Sequence, residues 1–269
     1  MSSSKLIKQN SLKKLDDQEK AFLINKAETL YKSLGINAPE KSKYLDVYIY
    51  PDSNLGVYGK YNEGLDGSKP SIYIMDDESD KNTISTFVHE YGHHLQYLLN
   101  KIKKVPELNI PLTSEDAVYN IIKSSLKESF AYFCQAYFFS VDNGMNSFVM
   151  SDVLSIFQSL EDVNIESTLE WMQNHKTNKN AKSIKNQFNF KDFNLESGHD
   201  FSLTAAKQAL CFATIAFAMN NADPAKTAQF LFRPWDEVLH SMIRIAKSGE
   251  EEASMLALKS LIRLEQSSQ

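Results

Sequence analysis

His89-Glu90-Tyr91-Gly92-His93 forms an HExxH pattern, and with His94 it gathers three of the chain's 6 histidines into six residues. On an α-helix, positions four apart differ by about 40° around the axis, so His89 and His93 project from one face, one turn apart. Two imidazoles so placed can share one zinc ion (Zn2+). Glu90 does not complete that pair, and its carboxylate is placed to take a proton from an attacking water. His94 lies about 100° from His93 around the helix, so it is expected behind the ligands or at the surface rather than on the metal.

A catalytic zinc takes three protein ligands and keeps one position open. A third histidine in an extended HExxHxxGxxH pattern is excluded, because Gln96 stands where that pattern has glycine. The better candidate is Glu128 in Lys127-Glu128-Ser129-Phe130-Ala131-Tyr132-Phe133, a carboxylate set in an apolar, aromatic helical stretch. A bare carboxylate there is costly unless it is paired or bound to metal; the alternative is a charge on the wet stripe beside Lys127. Glu107 and Glu115 are weaker, lying in or just after a loop. Acyl chemistry also needs a donor for the developing oxyanion. Tyr119, nine residues before Glu128, returns near the same helix face, and His199 sits in the turn Glu196-Ser197-Gly198-His199-Asp200 before a helix. Their plainer readings are a core-edge aromatic and a loop residue. His175 and His240 read as surface residues, and Cys134 as core.

HEYGHH followed by a helix reading ESFAYF resembles the gluzincin metallopeptidases, with 34 residues between His93 and Glu128. The resemblance covers roughly residues 44–140. It implies zinc on His89, His93 and Glu128, Glu90 as general base, a protein or peptide substrate, and Ser71–Met75 as the edge strand that an extended peptide would join. In many gluzincins an aspartate four residues after the third ligand orients a zinc histidine. Here Tyr132 stands at that place; a phenol can accept the hydrogen bond but brings no charge. That departure sustains a rival reading, an inactive or structural zincin-fold protein that binds partners.

These residues need a helix behind a small sheet. Residues 11–34 carry leucines at helical spacing, with Gly35 able to close the C-terminus. Tyr44–Tyr50, Gly56–Tyr61 and Ser71–Met75 read as three strands of a mixed or antiparallel sheet. A helix of about 20 residues follows, capped by Asp80 or Asn82 and running to about Lys104. A long helix from Thr113 or Ser114 reaches about Ser140, and further helices fit 146–161, 165–174, 202–220, 224–232, 235–248 and 250–265. Asp223-Pro224 is a strong start signal. The fold class is α+β, predominantly α and zincin-like: one domain over residues 1–269, with a lobe 40–105 (sheet and HExxH helix) and a helical lobe 106–269 that supplies the third ligand.

The chain has 269 residues, 42% hydrophobic and 11% aromatic, enough to bury a core and to exclude wholesale disorder. A net charge of -5 argues against a nucleic-acid partner. The longest apolar run, residues 209–219 (ALCFATIAFAM), is too short to cross a bilayer and reads as a buried helix, so no membrane partner is expected. No apolar stretch of signal-peptide length is found near the N-terminus. The basic segment 174–191 reads as a solvated loop. Gly249-Glu250-Glu251-Glu252 and its polar end resemble the glutamate-rich tails of bacterial type IV-secreted effectors, some of which are gluzincins that cleave host proteins, one of them actin. The plainer reading is an acidic first helical turn. Expectation therefore lies between a monomeric effector protease delivered into a host cell by a dedicated secretion system and a cytoplasmic bacterial regulatory protease.

Overall fold

A computed structural model describes residues 12–50, 58–64, 68–76, 79–103, 114–142 and 198–247. The expected helices at 146–161, 165–174 and 250–265, the basic segment 174–191, His175 and the glutamates 250–252 lie outside these residues. The fold is mixed α and β and mostly helical, with one small four-stranded mixed sheet. The chain divides into two compact units, Met1–Leu98 and Leu99–Gln269, and the division falls inside a helix.

In the first unit, β1 (Lys13–Lys14) leads to α1 (Asp17–Ser33). Asp16 accepts from the backbone amides of Gln18 and Glu19, while the Glu19 side chain accepts from the Asp16 amide, a reciprocal cap. That cap starts the helix later than leucine spacing predicts and frees Lys13 and Lys14 to pair with Ile49 and Tyr48. At the other end Gly35 takes a left-handed φ of 75°. The amides of Gly35 and Ile36 then donate to the carbonyls of Lys32 and Tyr31, which closes the helix as expected.

A 3-10 turn at Glu40–Lys43 precedes β2 (Asp46–Tyr50), so this strand begins later than its alternating pattern does. β3 (Gly59–Asn62) and β4 (Ser71–Met75) follow. The strand order is β1-β2-β4-β3. β4 runs parallel to β2 and antiparallel to β3, so it is flanked on both sides. The expectation that Ser71–Met75 is the edge strand is therefore corrected: among the described strands, β3 holds that edge. The cause is the return of the chain, since β4 passes back between β2 and β3 rather than adding outside them.

Register fixes the faces of the sheet. Val47 pairs with Ile72, Ile49 with Ile74, Tyr61 with Ile72 and Gly59 with Ile74, which places all of them on one face. Val47, Ile72 and Ile74 are fully buried there. On the opposite face Tyr48 and Tyr73 stack with ring centroids 5.0 Å apart. The buried face lies against α2 (Asp80–Lys103). α2 is wrapped nearly all round through its middle, where Phe87, Val88, Tyr91, His94 and Leu95 are 1% exposed or less.

In the second unit, α3 (Ser114–Asp142) packs on α4 (Gly198–Met219), with Phe133 meeting Phe217 at 6.0 Å between ring centroids. α5 (Pro224–Leu231) begins at an Asp223 cap with Pro224 at its first position, and α6 (Trp235–Lys247) follows. The apolar run within α4 is buried, as are Cys134 and Cys211. No helix among the described residues is long and apolar enough to cross a membrane.

Candidate metal centre

The HExxH residues sit mid-way along α2. Tyr31 of α1 donates its hydroxyl to the carbonyl of Val88 at 2.7 Å, immediately before His89. Tyr91 donates to Glu28 of α1 at 3.1 Å. This helix segment is therefore tied down by side chains as well as by packing.

His89 and His93 meet as the spacing predicts. Their Nε2 atoms are 3.2 Å apart and the rings lie edge to face at 77°. Two nitrogens bound tetrahedrally to one zinc at its usual bond length stand about 3.3 Å apart, so the separation suits a shared ion. One ligand atom from each of His89, His93 and Glu128 lies within 4.8 Å of the other two. These three residues could hold a metal ion, and among the described residues no other group of three or more His, Cys, Asp or Glu side chains does so.

Glu128 comes from α3. Its neighbours Leu126, Ser129, Phe130 and Ala131 are buried, but Glu128 itself is half-buried, on a stripe with Ser124, Tyr132 and Gln135. It thus stands at the margin of the apolar face and not at its centre. Half-buried there, the carboxylate keeps part of its hydration, so its position alone does not demand a partner or a metal.

Glu90 is buried and does not belong to the metal group. It faces β3 instead. A Cβ built on Gly59 would lie 2.6 Å from Glu90 Oε1 and 2.9 Å from its Cγ. Tyr50, at the end of β2, has its phenol pushed up to about 12, first by burial and then by the negative charge of Glu90. Tyr50 therefore remains a neutral hydroxyl at physiological pH.

His94 is fully buried, which corrects the surface alternative. Its Nε2 lies 3.1 Å from the Ser42 carbonyl and its Nδ1 3.1 Å from the Tyr61 hydroxyl. A carbonyl can only accept, so Nε2 carries the proton and Nδ1 accepts from Tyr61. Burial pulls the imidazole down to about 4, against the opposing pull of the Ser42 carbonyl, so it is neutral at pH 7. With both nitrogens engaged, His94 takes no part in the metal group. It anchors the 3-10 turn and β3 to α2.

Tyr119 falls within α3, but its side chain lies outside the described residues. His199 lies inside the first turn of α4 and not in a turn before it, because that helix starts at Gly198; its side chain is likewise outside the description. His240 is exposed, as expected. Tyr50, Gly59 and Tyr61 escaped the sequence reading as site residues. The one sequence signal was a glycine inside a strand pattern, GVYGKY, which marks a close approach of backbone to another group.

Comparison with known proteins finds no matching family model, curated protein or solved structure.

Proposed function

We propose that the protein is a zinc-dependent endopeptidase of gluzincin type, with His89, His93 and Glu128 as ligands and Glu90 as general base. The observation that carries this reading is the 3.2 Å approach of the two Nε2 atoms from an HExxH helix, with a Glu128 carboxylate oxygen in the same group. A protein that only needed two histidines on a helix would not have to turn their nitrogens toward one point. Bound there, zinc would act as a Lewis acid and lower the pKa of a coordinated water.

The chain's own residues supply the rest. Glu90, on the next position of the helix, takes the proton of the attacking water and delivers it to the leaving amine. Tyr119 and His199 are the candidates for the oxyanion. The outer edge of β3 among the described strands, and not β4, is where an extended peptide would add by backbone pairing.

Glu90→Gln tests the mechanism. It keeps the shape of the side chain and removes the base. Expected is unchanged metal content, with hydrolysis of an internally quenched peptide library reduced by at least about 10³-fold. Retained hydrolysis in the variant would overturn the mechanism. A wild-type protein that holds metal yet cleaves nothing would favour the partner-binding alternative, to which Tyr132 points.

A further inference from the structure

The register of β3 along α2 has a simple metric basis. Gly59 and Tyr61 are two residues apart on one face of a strand, about 6.8 Å. Glu90 and His94 are four residues apart on the helix, about 6.0 Å along its axis. The two pairs therefore match, with Gly59 opposite Glu90 and Tyr61 opposite His94. Tyr61 is held by its bond to His94 and by a ring contact with Tyr97 at 6.2 Å. That fixes how closely the strand runs over the helix one step earlier, at Gly59.

The approach there is tighter than any side chain allows. A Cβ at position 59 would meet Glu90 Oε1 at 2.6 Å, Thr86 Cγ2 at 2.7 Å and Glu90 Cγ at 2.9 Å. Gly59 is not among the residues with positive φ, so its backbone would accept an alanine; the glycine is there for space and not for conformation. Thr86 is β-branched and stiff at χ1. The end of the Glu90 side chain is the part that can yield.

We propose that Gly59 is a positioning residue for Glu90: its missing side chain leaves the room in which the Glu90 carboxylate is held beside the metal ligands. The inference rests on the reading of Glu90 as general base, but its structural half can be tested apart from it. Gly59→Ala displaces the carboxylate while leaving His89, His93 and Glu128 in place. A displacement of about 1 Å in a reacting group is enough to lower a rate about 10²-fold.

The test is a double-mutant cycle on the full chain, read by thermal unfolding, metal content and steady-state kinetics on the quenched peptide library. Gly59→Ala is expected to lower Tm by about 5 °C in the wild-type background, and by measurably less in Glu90→Ala, where the Thr86 contact remains but both Glu90 contacts are gone. Equal losses in the two backgrounds would overturn the proposal. If Gly59→Ala alone does not fold, recovery of folding in Gly59→Ala/Glu90→Ala supports it, and failure of both overturns it. In the folded variant kcat is expected to fall about 10- to 100-fold, with KM and bound zinc unchanged. Coupled stability with an unchanged kcat would overturn the positioning role. A wild type that cleaves nothing defeats the reading of Glu90 as base, and the stability cycle then still decides whether Gly59 makes its room.

Discussion

Replacing His94 by phenylalanine removes one buried and one part-buried hydrogen bond and puts a somewhat larger ring in their place. The Ser42 carbonyl, in a residue with no exposed surface, loses its imidazole donor. Leaving such a group unsatisfied costs about 1–3 kcal/mol, and the acceptor lost by the Tyr61 hydroxyl adds about 1 kcal/mol. His94→Phe is therefore expected to be about 2–4 kcal/mol less stable at pH 7.5. The folded protein keeps His94 neutral down to about pH 4, whereas in the unfolded chain it takes up a proton near 6.5. Below pH 6.5 the unfolded state therefore binds more protons, and stability falls as the pH falls. The stabilisation is complete above pH 6.5 and is lost progressively toward pH 4; the gap between those values corresponds to about 3 kcal/mol. The variant has no such group. In urea unfolding of metal-free protein at a series of pH values, the wild-type and His94→Phe curves are expected to converge between pH 6.5 and 4. A constant gap across that range, or a variant as stable as wild type at pH 7.5, would refute the buried, neutral, doubly bonded imidazole.

Two further outcomes follow from the same helix. Tyr31→Phe removes the hydroxyl that donates to Val88 and is expected to cost about 1–2 kcal/mol in urea unfolding. Stripping the metal with a chelator is expected to destabilise the wild type by about 4 kcal/mol relative to protein with zinc at a thousandfold above its Kd, and to leave His93→Ala nearly unmoved.

The parts of the structure written in local chemistry were legible from the residues. Asp223-Pro224, Gly35 and the HExxH spacing each act within one helix turn, and each stands where its chemistry predicts. What could not be read was set by pairing between distant segments. β4 has the better strand sequence of the two neighbours, but whether it is flanked depends on where β3 falls, which no local pattern encodes. Lys13 and Lys14 look like a helix start and become a strand because Asp16 caps the helix after them. The sequence leaves His94 either behind His89 and His93 or at the surface; it is buried because Tyr61 and Ser42, 33 and 52 residues away, offer it one donor and one acceptor. Glu128 was visible as a carboxylate in apolar company, while its place at the margin of that face emerges only with the packing of α3 on α4.

His89, His93 and Glu128 are proposed to hold one zinc. The most direct test is zinc per protein by mass spectrometry, in wild type and Glu128→Ala purified in parallel from zinc-replete medium. Close to one zinc is expected in the wild type, and a loss of most of it in the variant. A full complement of zinc in Glu128→Ala, or almost none in the wild type, would contradict the proposal.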